Sequence, residues 1–145
     1  MSKAQLASRE GTDLFQLGHS EATFQTFDKA IQLDHNHSDA YYDRGYIYAA
    51  LGQHQRAIQD FDKAIQLDPK DAMKYFGRGL VHVQIGQLQL AIKDFGMALQ
   101  LDPMDAGAYS NRGAVYNDLM DQPETNVAQI YPQIEGIADV EAVLA

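Results

Sequence analysis

The 145-residue chain contains no cysteine, so no disulfide framework is available to it. No apolar run approaches the roughly 18 residues that a spanning helix needs, so no membrane segment is expected. The opening stretch MSKAQLASREGTDLF has one Lys and one Arg but no long apolar core, which argues against a secretory signal. These three absences together predict a cytoplasmic protein. Basic residues are also scarce: 11 Lys and Arg stand against 20 Asp and Glu, for a net charge of −9. Nucleic-acid affinity rests largely on Lys and Arg neutralising phosphates, so a nucleic-acid partner is not expected. An anionic membrane surface is disfavoured on the same ground. The acidic surplus either keeps a small protein soluble or suits a partner of basic or apolar character.

What the chain does have is an internal echo. Tyr41, Arg44, Gly45, Gly52, Ala57, Asp60, Phe61, Ala64 and Pro69 reappear 34 positions later as Tyr75, Arg78, Gly79, Gly86, Ala91, Asp94, Phe95, Ala98 and Pro103. A fixed period of this size is the mark of stacked supersecondary units. Within Ser38–Asp71, Tyr41, Gly45 and Tyr48 share one helical face, and Gly52 follows the run where a helix end favours left-handed geometry. A second segment carries Ala57, Phe61 and Ala64 on one stripe, with Ile58 and Ile65 beside it, and Asp68-Pro69 stops it. Each unit therefore reads as two antiparallel helices of roughly 14 residues. Gly45 lets the second helix approach the first, Ala57 and Ala64 keep that contact low, and Phe61 supplies bulk for the next helix. One such pair cannot bury its own apolar face, so the units must stack.

The residues Tyr41, Gly45, Tyr48, Ala57, Phe61, Ala64 and Pro69 resemble the signature of the tetratricopeptide repeat family. Tyr75, Gly79, His82, Ala91, Phe95, Ala98 and Pro103 repeat it, with His82 in an aromatic position. A weaker earlier copy keeps Gly11, Leu14, Gly18, Phe27 and Ala30, but has Thr23 for a small Ala and His35 for Pro. A fourth begins with Tyr109, Arg112, Gly113 and Tyr116, then drifts at Thr125 and Gln129. The expected architecture is an all-α single domain over 1–145, with repeats near 4–37, 38–71, 72–105 and a partial one at 106–131. The resemblance implies a right-handed superhelix of stacked helix hairpins.

Asp121-Gln-Pro-Glu124 reads as a helix start, and Val127, Ile130, Ile134, Ile137 and Leu144 continue an apolar stripe that Pro132 interrupts near Tyr131. A helix over 133–145 is expected to cover the end of the stack. The alternative is that it docks on another copy of the chain.

Reactive chemistry finds little support, and no enzyme, metal or cofactor is expected. His35 and His37 lie in a polar turn without the four N or S ligands of a structural zinc site. His19 and His54 open equivalent second helices, where exposure is the simple reading. Gly77-Arg78-Gly79 sits inside a predicted helix, not in a phosphate-cradling loop. Arg44, Arg78 and Arg112 recur beside the helix glycines. They could clamp carboxylates of a ligand, but pairing with the repeat Asp60 and Asp94 is the stronger reading.

The resemblance further implies a concave face lined by the first helix of each unit. In this chain the face holds Ser8, Thr12, Phe15 and Gln16, then Tyr42 and Tyr46, then Met73, Phe76, Leu80 and Val83, then Asn111, Ala114 and Asn117. These residues lie off the Tyr41-Gly45-Tyr48 stripe, so their aromatics are expected to be free for a partner; the competing reading is that tight winding buries them as core. One subgroup of the family grips the C-terminal carboxylates of heat-shock chaperones with groove Lys and Asn. The matching places here are Ser8, Thr12 and Asp43, with Asn111 alone in keeping, so the expected ligand is an apolar or mixed peptide and not an acidic tail. The leading function is protein–protein interaction through this groove. The alternatives are a self-assembling scaffold and a small secretion-type chaperone that shields apolar segments.

Overall fold

The computed structural model describes residues 1–16 and 18–122, and the side chains of residues 14–16 and 20 stand outside that description. Among the described residues there are seven α-helices and no strand: α1 Lys3–Gln16, α2 Ser20–Leu33, α3 Ser38–Ala50, α4 His54–Leu67, α5 Ala72–Gln84, α6 Leu88–Leu101 and α7 Ala106–Met120. Residues 1–74 form one compact unit and residues 75–145 a second. The second helix expected for the fourth repeat and the helix expected over 133–145 lie outside the described residues.

In the first unit, α1 packs on α2 and α3 on α4. The second pair shows why the sequence folds this way. A Cβ built on Gly45 would come within 3.0 Å of the Asp60 Cβ and 3.3 Å of the Phe61 ring, so only glycine permits this approach without a shift. The Ser38 hydroxyl donates to the Ala64 carbonyl at 2.8 Å. Ser38 meeting Ala64 while Gly45 meets Ala57 fixes the two helices as antiparallel. Ala57, Phe61 and Ala64 are buried, as their stripe predicts. The turn closes on Gly52, whose φ of +77° lets the Gln53 amide donate back to the Tyr48 carbonyl at 2.8 Å. Thr23, which replaces a small residue in the first repeat, is fully buried; its hydroxyl donates to the His19 carbonyl at 2.7 Å and so needs no outside partner.

The second unit repeats the pattern more tightly. A Cβ on Gly79 would stand 2.8 Å from the Phe95 ring. Phe95, Ala91, Ile92 and Leu88 of α6 join Val115, Tyr116 and Leu119 of α7 in one apolar core. Asp105 starts α7 by accepting from the Ala108 amide at 3.1 Å. No described helix is long and apolar enough to cross a membrane.

Candidate functional site

The recurring arginines prove structural. Arg44 donates to both carboxylate oxygens of the buried Asp60 at 2.8 Å each, and Arg78 holds the buried Asp94 at 3.0 and 2.7 Å. Two parallel charge-assisted bonds are what a carboxylate taken out of water requires. Arg44 also reaches Asp28 at 2.8 Å and so ties α3 to the preceding helix, a partner that the repeat pattern alone does not suggest. Arg112 is buried and lies 5.5 Å from the centre of the Tyr109 ring. His54, at the start of α4, is half-buried and not exposed.

The expected groove residues divide into two kinds. In the first unit, Tyr46 on α3 and Met73 at the start of α5 are each 55% exposed, although Gly45, Ile47 and Lys74 beside them are buried. Tyr42 differs from expectation: it is half-buried, its ring 5.6 Å from that of Phe61. In the second unit, Phe76, Leu80 and Val83 also differ, because they are partly buried against the core, with Phe76 5.6 Å from Phe95. The reason is steric. The glycine approach draws the second helix so close that its Phe reaches past the Gly stripe to the side chain three positions earlier on the first helix. Asn111 donates to the Gly107 carbonyl of its own helix at 2.8 Å, while Asn117 and Ala114 are exposed. Thr12 is exposed, with its hydroxyl on the Ser8 carbonyl at 3.2 Å. Phe15 and Gln16 lie in α1, but their side chains are outside the description.

The first-unit face is acidic. Ser8, itself buried, donates to Asp43 at 3.4 Å, joining α1 to α3. Burial first, and then the nearby Asp39, push the Asp43 carboxyl up to about 6, against a lowering pull from Ser8 and Lys74. Burial and the Asp43 and Asp71 charges likewise raise the Tyr42 phenol. Lys74 is a residue that the repeat pattern misses. It is 1% exposed and donates to Asp39, Asp68 and Asp71 at 3.0, 3.1 and 3.0 Å. Burial alone would lower its pKa, but the three carboxylates outweigh this and hold it above the ordinary lysine value. The signal was present in the register: 34 residues before and after it stand Ala40 and Ala108, both fully buried.

A family model described as Tetratricopeptide repeat matches residues 38–71, and a second, described as TPR repeat, matches residues 79–119. The chain belongs to the tetratricopeptide repeat family. Solved structures of the same fold cover most of it. The first such domain of Spaghetti (RPAP3), bound to the HSP90 peptide SRMEEVD, shares 22% identity over 82% of this chain and 94% of its own, with a TM-score of 0.79. The tetratricopeptide domain of Arabidopsis OM64 shares 23% identity over 79% of this chain and 95% of its own, with a TM-score of 0.75. MamA shares 21% over 97% of this chain and 78% of its own, with a TM-score of 0.76. No curated protein matches the chain in sequence. As a tetratricopeptide repeat chain it carries the fold of a protein-interaction module.

Proposed function

We propose that this tetratricopeptide repeat chain is a cytoplasmic, non-catalytic module that holds a peptide segment of a partner protein against its first-helix faces. In the first unit the contact residues are Tyr46 and Met73, with Tyr42 and Asp43 behind them. In the second, Asn117 and the outer edges of Phe76, Leu80 and Val83 serve. The observation that carries this reading is the exposure of Tyr46 and Met73, 55% each, on a face where the described ring of Tyr42 is packed on Phe61. Exposed aromatic and thioether groups give contact area at small entropic cost.

The same face supports an apolar or mixed ligand. The RPAP3 domain was solved with an acidic peptide. Here Asp39, Asp43 and Asp71 stand on the first-unit face, and the neighbouring Lys74 is sealed beneath three carboxylates. An acidic tail would meet like charge with no available cation from Lys74. An immobilised array of short peptides graded in charge and hydrophobicity tests this reading. Apolar and mixed peptides should be retained, SRMEEVD should not, and Tyr46→Ala with Met73→Ala should reduce retention at least tenfold. Preferential capture of SRMEEVD, or retention indifferent to that pair, would refute it.

A further inference from the structure

The first repeat departs from the other three at two places of its first helix. The place held by Ala40, Lys74 and Ala108, each at most 1% exposed, is held in α1 by Leu6, which is 53% exposed. The place held by Arg44, Arg78 and Arg112 is held by Glu10, so the recurring cation gives way to an acid. Leu6 and Glu10 line one groove of about 610 Å³ along α1 and α2, with Lys3, Lys29 and Leu33 on its rim. Leu33 is 48% exposed. An uncovered unit of a stacked array needs a polar outer face to stay in solution, and two exposed leucines are its opposite.

The chain itself shows what covers this face one repeat later. There the covering helix is α2. Its Asp28 accepts from Arg44 at 2.8 Å, and its Ala30 is buried with Ala40, with Ile31 packed against them. Positions rise from 28 to 31 on α2 as they fall from 44 to 40 on α3, so the covering helix runs antiparallel to the helix it covers.

We infer that the groove of α1 and α2 docks one amphipathic helix of a partner protein, laid antiparallel to α1 in the place that α2 takes on α3, with a cation opposite Glu10. The groove residues dictate the chemistry of that helix. Glu10 repels an acid at the place of Asp28 and is satisfied by a Lys or Arg there. Leu6 is larger than Ala40, so the residues at the places of Ala30 and Ile31 must be small if the two helices are to keep their spacing. The last turn of the helix arrives beside Lys3 and Lys29, as Asp34 stands beside His37, the counterpart of Lys3. Its carbonyl end and an acidic residue at the place of Asp34 are both favoured there. A second copy of the chain is a poorer occupant. Its second helices α2, α4 and α6 carry Asp28, Asp62 and Gly96 where the cation is needed, and each copy bears a charge of −9. The site shares no residue with the peptide face of Tyr46 and Met73.

Fluorescence anisotropy of two labelled peptides, titrated with the full chain, tests this proposal. Both peptides copy residues 20–34 with Ile31→Ala, and one also carries Asp28→Lys. A lactam between Lys29 and Gln25→Glu, both at exposed positions, holds each peptide helical before it binds. The Asp28→Lys peptide should bind about tenfold more tightly than its companion, and Glu10→Arg in the chain should reverse that preference. Leu6→Gln should weaken the tighter peptide about tenfold yet keep the melting temperature of the parent, because Leu6 is exposed. Equal affinities, a preference that Glu10→Arg leaves in place, or no binding of either peptide below about 1 mM would overturn the proposal. Sedimentation of the chain alone should show a monomer; self-association that Leu6→Gln abolishes would give the groove to a second copy and overturn it equally.

Discussion

Single residues decide how closely the helices of this chain approach. Gly79 lies under the Phe95 ring with no room for a methyl group, whereas Gly45 has slightly more space beside Phe61. Gly79→Ala should therefore cost about 1–3 kcal/mol, and Gly45→Ala less, as read by urea unfolding of the two variants side by side. Asp43 is the residue at which pH enters. Its folded carboxyl titrates near 6, above the ordinary value of 3.8, so the folded state binds the extra proton. Its contribution to stability is then favourable at low pH and is lost as pH rises through about 6. Asp43→Asn removes the charged form, so it should stabilise the chain at pH 7.5 and make little difference at pH 4, measured by thermal unfolding at both. Equal effects at the two pH values would mean that burial of the charge is not what raises this carboxyl.

At the level of the helices, the internal period gives away the hairpins and their Arg44–Asp60 and Arg78–Asp94 ion pairs, because those contacts lie within one repeat, whereas the Arg44–Asp28 bond crosses between repeats. Lys74 was not legible in this way. A lysine near the start of a helix is unremarkable locally, and the carboxylates that cover it come from α3 and from the turn before α5. Only the fold brings Asp39 to it, and only comparison with Ala40 and Ala108 marks the site as buried. Lys74→Met should cost about 2 kcal/mol, since it removes three charge-assisted bonds but leaves carboxylates that water can reach. Asp39→Asn should cost under about 1 kcal/mol, because two partners remain. The double roles of Tyr42 and Phe76 were hidden for a related reason. Helical periodicity assigns a side chain to a broad sector, and whether a ring in that sector touches the neighbouring Phe depends on the interhelical distance that Gly45 and Gly79 permit.

At the scale of the whole molecule, the proposed peptide contact lies on the first helix of each repeat. Tyr46→Ala with Met73→Ala should leave the thermal unfolding midpoint close to that of the parent, because both side chains are 55% exposed. Amide hydrogen exchange of the full chain, with and without the tightest peptide from the charge-graded array, tests the central claim most directly. Binding at the first-helix faces predicts slowed exchange in α3 and at the start of α5, with α4 and α6 unaffected. Protection confined to α4 or α6 would contradict it.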